Sequence, residues 1–454
     1  MKITDIKKTL PMENKKLLYL ETFGCQMNVS DSEKIVSMLK NMGYDPTEDP
    51  SKAELIILNT CCVRAKAEHK LYSSLGRFKD LKKNNERLIV GVGGCVAQKE
   101  GDRLLKKAPF VNLVFGTHNL HLVPRMVSAA EQGQRLTNVD FIDCDTRLDL
   151  FPHSDEEGPV SRFVTIMQGC DNYCTYCIVP FVRGREISRR SSDIIDEISR
   201  LAHIGVREVT LLGQNVNSYG LKSQGECTFS ELLHKVAAID GIERIRFTTS
   251  HPKDLSPSLV NCFADIPKLC GHIHLPAQSG SDVILAKMER GYNREQYLEK
   301  IRDLKNVRPD IQITGDMIVG FPGETEEDFL QSLSLMKEVE YADQFSFIFS
   351  LRPETKAAGF FDDVSYKEKQ ERLSRLQTLQ KQITLVRNKR VIGSTQRILV
   401  EGRSKRGDQL FGRTDGNRIV NFSGELKLVG SFVSVRITKA FQNSFLGELE
   451  QVAK

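Results

Sequence analysis

The stretch Met167–Glu186, MQGCDNYCTYCIVPFVRGRE, sets three cysteines in Cys-x3-Cys-x2-Cys spacing: Cys170, Cys174 and Cys177. It directly follows an apolar run that reads as a strand. Three thiolates this close can wrap one corner of an iron–sulfur cubane and leave its fourth iron without a protein ligand. An open iron is what a cluster needs if it is to bind and cleave a small molecule. A structural zinc site is the alternative, but zinc favours four closed ligands, commonly as paired Cys-x2-Cys hooks, and no partner hook stands in the chain.

Outward from this loop the apolar pattern alternates. Between Val160 and about Gly359 the strand candidates are RFVTIMQG (Arg162–Gly169), EVTLLGQN (Glu208–Asn215), RIRFTTS (Arg244–Ser250), HIHLPAQ (His272–Gln278), QITGDMIVGF (Gln312–Phe321) and QFSFIFSL (Gln344–Leu351). Helix candidates between them include Ser191–Leu201, Ser281–Met288 and Glu326–Glu338. Alternation of this kind implies a parallel sheet with functional residues at the carboxyl ends of its strands. About six units fall short of an eightfold barrel, so the expectation is a partial, open (β/α) barrel.

Upstream, KLLYLETF, ELIILNT and RLIVGVGG read as buried strands, with a helix-like stretch from Arg64 to Lys83. Downstream, Tyr366–Lys389 has apolar residues at helical spacing, among them Leu373, Leu376, Leu379, Ile383 and Leu385. The runs RILVEG, LFGRT, RIVNF and FVSVRITKA then suggest a small antiparallel barrel. The expected organisation is a disordered tail (1–15), an amino-terminal α/β domain (16–142), a polar linker (143–159), the open barrel with a trailing helix (160–387) and a closing β-barrel (388–454).

The 454 residues are 40% hydrophobic and 27% charged, values of a globular chain in water. No window approaches the ~18 uninterrupted apolar residues of a membrane span. Met1–Lys16 is lysine-rich and lacks a secretory apolar stretch, so a cytoplasmic protein without membrane attachment is expected. Eleven cysteines spread over this length argue against a disulfide scaffold and for metal or redox chemistry. Residues 388–454 carry 12 Lys/Arg against 6 Asp/Glu, and with +5 on the whole chain the remainder is at −1. The basic excess is local to the closing module.

The cysteine motif is the signature of the radical S-adenosylmethionine (SAM) superfamily, and nearly the whole length resembles its methylthiotransferase family. TFGCQMN (Thr22–Asn28), LNTCCVRAKAE (Leu58–Glu68) and VGGCVAQ (Val92–Gln98) carry that resemblance upstream. Read alone, three scattered cysteines are more often small buried residues. The resemblance implies that Cys25, Cys61 and Cys95, each at the loop end of a predicted strand, hold an auxiliary cluster. It places the ligand on Cys61, the first cysteine after Asn-Thr, and not on neighbouring Cys62. Cys144, Cys227, Cys262 and Cys270 match no motif and read as structural.

EVTLLGQNVNSYG (Glu208–Gly220) is similar to the subgroup acting on N6-isopentenyladenosine in tRNA. TTSHP (Thr248–Pro252), HLPAQSGSD (His274–Asp282), RGYNREQY (Arg290–Tyr297) and GDMIVGFPGETEEDF (Gly315–Phe329) add to the likeness. Ala277, where leucine is usual, and Glu354, where glycine is usual, depart from it. The resemblance implies two 4Fe-4S clusters, SAM as radical source and methyl donor, and insertion of a methylthio group at the carbon between the two ring nitrogens. It further implies the tRNA anticodon stem-loop as partner, a flavodoxin or ferredoxin as electron donor, and a monomer.

By loop position and the same resemblance, Gly213, Gln214, Asn215, Ser250, Gln278 and Asp316 are candidates to meet SAM. Arg183 and Arg185 are candidates for SAM or RNA. The closing module resembles the TRAM domain, with Arg403, Lys405, Arg406, Arg413 and Arg418 as phosphate contacts and Phe411 and Phe422 as stacking surfaces. Two alternatives stand beside this: a methylthiotransferase for a ribosomal-protein aspartate or for threonylcarbamoyl-adenosine in tRNA, and a non-catalytic RNA-binding protein with structural zinc.

Overall fold

The computed structural model describes residues 15–62, 65–142, 159–404 and 407–450. Nearly all of the expected tail and of the linker, and Lys405 and Arg406, lie outside the described residues. The chain divides into two units, Met1–Ser154 and Asp155–Lys454. No helix among the described residues is long and apolar enough to cross a membrane.

In the first unit β1 (Lys16–Phe23), β2 (Tyr44–Pro46), β3 (Leu55–Thr60), β4 (Ile89–Gly94), β5 (Leu113–Phe115) and β6 (Leu136–Asn138) form one parallel sheet, ordered β2-β1-β3-β4-β5-β6. β3 and β4 are buried along their whole length, as central parallel strands covered on both faces must be. The chain leaves β1 for one edge and returns to β3 on the other side. The loops after β1 and β3 therefore part at the carboxyl end of the sheet, where open α/β sheets bind their ligands. Phe23 pairs Thr60, and Thr60 pairs Gly94, so three adjacent strands end level.

The second unit opens with β7 (Ser161–Thr165), followed by the short pair β8 (Met167–Gln168) and β9 (Ile187–Ser188) that brackets the cysteine loop. β10 (Glu208–Leu212) lies between β7 and β11 (Arg244–Thr248), and β13 (Gln312–Val319) lies between β12 (His272–His274) and β14 (Asp343–Ile348). All these pairings are parallel, and an Ile245–Leu269 bridge joins the two halves. The result is the expected six-stranded open barrel. Val164, Leu211, Ile245, Ile273 and Met317 from its strands share one core with Ile194, Ile198, Leu233 and Phe263 from its helices. Ala277 belongs to that core, whereas Glu354 is exposed.

β15 (Thr395–Arg403), β16 (Leu410–Arg413), β17 (Ile419–Phe422), β18 (Phe432–Ala440) and β19 (Ser444–Leu449) close a second, small barrel in the order β15-β16-β17-β19-β18. It is not antiparallel throughout: β17 and β19 run parallel. A closed ring with an odd number of strands cannot be built from antiparallel neighbours alone. Phe422 sits in the core of this barrel, fully buried, and is no stacking platform.

The helix Tyr366–Lys389 has the predicted bounds, and its inner face is largely polar. Its most buried residues are Lys369, Arg372, Leu376, Gln380, Thr384 and Asn388. Leu373, Leu379 and Ile383 pack only partly against the core. The donors of this stripe find partners: Arg372 pairs with Glu324 (3.0 Å), Gln380 donates to Tyr341 O (2.9 Å) and Asn388 donates to Phe441 O (2.7 Å), while Gln380 Oε1 has none among the described residues. Apolar spacing does not reveal this polar stripe, which arises because the helix runs along loop carbonyls, which ask for donors.

Candidate cluster and cofactor sites

The strand ends of the first unit bring Cys25, Cys61 and Cys95 together. Cys25 caps the helix Gln26–Lys40, Cys61 follows β3 with its N–H donated to Phe23 O (2.8 Å), and Cys95 opens the helix Cys95–Glu100. Hydrogen bonds with the Cys25 and Cys95 thiols, and then burial, hold the Cys61 thiol well above its ordinary range. Such approach depends on Gly94, at φ +89°, where an added Cβ would lie 2.4 Å from Thr60 O. Among the described residues, no three Cys, His, Asp or Glu side chains are disposed as a ready single-ion site. Converging soft thiols next to one another nonetheless fit the donor set of an iron–sulfur cluster.

A buried amide pair braces these loops. Asn28 Oδ1 accepts from the Cys25 N–H and Sγ, each at 3.4 Å, and Asn28 Nδ2 donates to Asn59 Oδ1 at 3.2 Å. Asn59 Nδ2 donates back to Asn28 O (2.8 Å) and to Ser32 Oγ (3.0 Å). Asn59→Ala removes the 3.2 Å acceptor of Asn28 Nδ2, leaving it only Thr60 O at 3.4 Å, and takes the Asn59 donor from the buried Asn28 carbonyl, so a loss of about 1–3 kcal/mol is expected in urea unfolding. Iron retention by this site against a chelator is expected to fall about 10–100-fold. Wild-type retention in that competition would show that the amides only pack.

In the second unit Cys170, Cys174 and Cys177 lie on the loop between β8 and β9. The Cys170 N–H donates to Gly184 O (3.2 Å) and the Cys177 N–H to Cys174 O (2.9 Å). Burial, with the neighbouring Cys174 thiol adding to it, pushes Cys170 up to about 11 and Cys177 up to about 12. Half-buried and buried thiols that would repel one another as thiolates fit a cationic metal partner, which favours their deprotonated forms. Gly169 permits the turn: at φ +83° its added Cβ would meet Arg185 O at 2.0 Å.

The structure distributes the SAM candidates unevenly. Gly213 packs on Met167, whose Cγ would lie 2.4 Å from an added Cβ. Gln214 Oε1 accepts from the Gly169 N–H (2.5 Å), tying the loop after β10 to the cysteine loop. The Asn215 side chain is committed to protein partners, accepting from the His251 N–H (3.1 Å) and donating to Asp254 (2.7 Å). Gln278, at φ +74°, lies beside Asp316: its N–H donates to Asp316 O (3.0 Å). Asp316 stands inside β13, not beyond its end. Ser250 Oγ and Asp316 Oδ1 are both buried without a hydrogen-bond partner, which is how a site looks when a polar ligand completes it. Arg185 is held by Asp171 at 3.0 Å.

Sequence reasoning missed four side chains here: Asn28, Asn59, His251 and Arg290. The last two reach Cys174 Sγ, at 3.9 Å from His251 Nε2 and 3.3 Å from Arg290 Nη1. Both stand in quoted motifs, TTSHP and RGYNREQY, which was the available signal. Burial first, then the Arg290 and Lys253 charges, push His251 down to about 2. Of the basic residues proposed for RNA, Arg418 instead joins the two barrels, donating to Ala342 O with its side chain 12% exposed. Arg413 pairs with Glu401 at 3.1 Å.

An open parallel barrel with three thiols on the loop beyond its first strand defines a radical SAM enzyme, and residues 164–336 match the Radical SAM superfamily. Residues 17–116 match the group described as Uncharacterized protein family UPF0004, and 389–449 match the TRAM domain. Two solved structures share the fold. One is a radical SAM methyltransferase from Kitasatospora setae with cobalamin and a 4Fe-4S cluster bound (TM-score 0.55, 14% identity, 76% of this chain and 77% of that one). The other is a cobalamin-dependent SAM radical enzyme (TM-score 0.52, 10% identity, 81% of this chain and 56% of that one). The tRNA-2-methylthio-N(6)-dimethylallyladenosine synthase of Geobacter sulfurreducens is 65% identical over 96% of this chain and 98% of its own length. That of Geobacter metallireducens is 66% identical over 96% and 99%. The chain belongs to the tRNA-2-methylthio-N(6)-dimethylallyladenosine synthase family.

Proposed function

We propose that this enzyme converts N6-dimethylallyladenosine (isopentenyladenosine) beside the anticodon of tRNA to its 2-methylthio derivative. The observation that carries the reading is a second set of converging thiols, Cys25, Cys61 and Cys95, in a chain that already has Cys170, Cys174 and Cys177. One set suffices to cleave SAM; sulfur insertion gives the other a use. Cys170, Cys174 and Cys177 would hold a 4Fe-4S cluster with an open iron, and Cys25, Cys61 and Cys95 an auxiliary one. Together with SAM these groups supply one-electron chemistry strong enough to activate a ring C–H bond that acid–base catalysis leaves untouched.

The chain's own residues hold and orient. Ser250 Oγ and Asp316 Oδ1 each offer an unpartnered oxygen to a polar ligand, with Gln278 beside Asp316. Gln214 fixes the cysteine loop through Gly169. Exposed Arg403, Lys427, Arg436 and Lys439 on the small barrel suit RNA phosphates. A cytoplasmic monomer reduced by a flavodoxin or ferredoxin completes the reading.

Mass analysis of nucleosides tests it, using tRNA incubated with the reconstituted enzyme, SAM, sulfide and reductant. The expected product is 2-methylthio-N6-dimethylallyladenosine. Modification of threonylcarbamoyl-adenosine or of a ribosomal-protein aspartate in its place would overturn the substrate assignment.

A further inference from the structure

Two side chains in quoted motifs, His251 of TTSHP and Arg290 of RGYNREQY, have no part in the function described so far, and both end on one atom. Arg290 is 4% exposed. Its Nη2 donates to Pro276 O (2.9 Å) and its Nε to the Tyr292 hydroxyl (3.1 Å). The planar fork is thereby fixed, with Nη1 aimed at Cys174 Sγ, 3.3 Å away, and at the Tyr176 hydroxyl, 3.4 Å away. His251 approaches the same sulfur with Nε2 at 3.9 Å. Its Nδ1 accepts the Lys253 backbone N–H at 3.2 Å. A neutral imidazole that accepts at Nδ1 carries its proton on Nε2, so Nε2 is a donor toward sulfur. Cys170 and Cys177 take hydrogen bonds from Asn172 and from the Val179 backbone, both uncharged. The buried cation faces Cys174.

We infer that Arg290 and His251 are positioning residues that set the reduction potential of the cluster held by Cys170, Cys174 and Cys177, by donating N–H···S hydrogen bonds to Cys174. Reduction adds negative charge to the cluster and its sulfurs. Donors on a ligand sulfur, and a positive charge buried beside it where little water screens it, favour the reduced form and raise the potential. The inference rests on those three cysteines being the ligands. Iron content tests that reading, and the potential tests the inference.

The experiment uses the full chain carrying Cys25→Ala, Cys61→Ala and Cys95→Ala, so that one cluster gives the signal, with redox titration followed by electron paramagnetic resonance. Arg290→Gln, once loaded with about four irons, is expected to be harder to reduce by about tenfold in the equilibrium, about 59 mV for one electron. Arg290→Lys keeps the charge and is expected to recover most of that shift. His251→Phe keeps the ring volume without the donor and should move the potential the same way by a smaller step. An unchanged midpoint in iron-replete Arg290→Gln overturns the inference. Should that variant not hold its irons, iron-replete His251→Phe decides: a lower potential supports the inference and an unchanged one overturns it.

Discussion

Cys61→Ala is expected to hold about four of the roughly eight irons of the reconstituted wild type and to form no methylthio product, while Cys62→Ala keeps both. The two thiols are adjacent in sequence and both buried, so exposure does not choose between them. Geometry does. Cys61 extends the β3 ladder by bonding to Phe23 O, and its thiol meets those of Cys25 and Cys95. Cys61 directly follows the last residue of β3 whereas Cys62 lies in the bend beyond it, so seating Cys62 in place of Cys61 requires rebuilding the loop. SAM cleavage by Cys61→Ala should persist, because Cys170, Cys174 and Cys177 are untouched. Loss of four irons from Cys62→Ala, with Cys61→Ala intact, would reverse the ligand assignment. Only about four irons in the wild type, unchanged in both variants, would remove the auxiliary site, and with it the methylthiolation reading.

The parts of this molecule that were legible in sequence are those governed by local rules. KLLYLETF, FVSVRITKA and Tyr366–Lys389 fall on the observed bounds of β1, β18 and the long helix, because apolar period and capping residues act over a few positions. β2, β5 and β6 have three residues each, too few to show a period, and were invisible. The Arg290–Cys174 contact spans 116 positions and the His251–Cys174 contact 77, and no spacing rule reaches that far. The local excess of positive charge correctly marked the closing barrel as basic. It could not tell which cations face solvent, and Arg418 proved to face the other barrel.

Arg246→Leu is expected to loosen the small barrel from the floor of the open one while leaving all iron in place. Arg246 and Arg244, at 5% and 3% side-chain exposure, flank Glu208, itself 3% exposed, at 3.1 and 3.5 Å. Their remaining donors cross to the small barrel: Arg246 to Asp415 O and Thr414 O, both at 2.7 Å, and Arg244 to Arg413 O (2.9 Å) and Arg397 O (3.1 Å). These arginines belong to β11 at the amino end of the barrel strands, opposite the cysteine loop. Losing Arg246 takes the arginine donors from the carbonyls of Asp415 and Thr414, of which Thr414 O keeps the Asn417 N–H (3.1 Å), and leaves Glu208 with Arg244 and the Ser161 hydroxyl. Removing one partner from a buried charge cluster costs about 3–5 kcal/mol, because the charge left behind has lost its compensation. The Asp415 carbonyl, left without its donor, adds to that cost and the hydrophobic leucine offsets little of it. At about 1.4 kcal/mol per factor of ten, the open population of this junction should rise by on the order of a hundredfold or more, read as faster proteolytic release of residues 390–450. Binding of tRNA should weaken, since the cations of the small barrel lose their fixed placement, and the four-iron signal of Cys170, Cys174 and Cys177 should not change. Proteolysis at the wild-type rate would show that Arg308–Asp415 (2.9 Å) and Arg418–Asp343 (3.4 Å) hold the junction without Arg246. Arg308 and Arg418 would then be the residues through which the fold fixes its RNA-binding module.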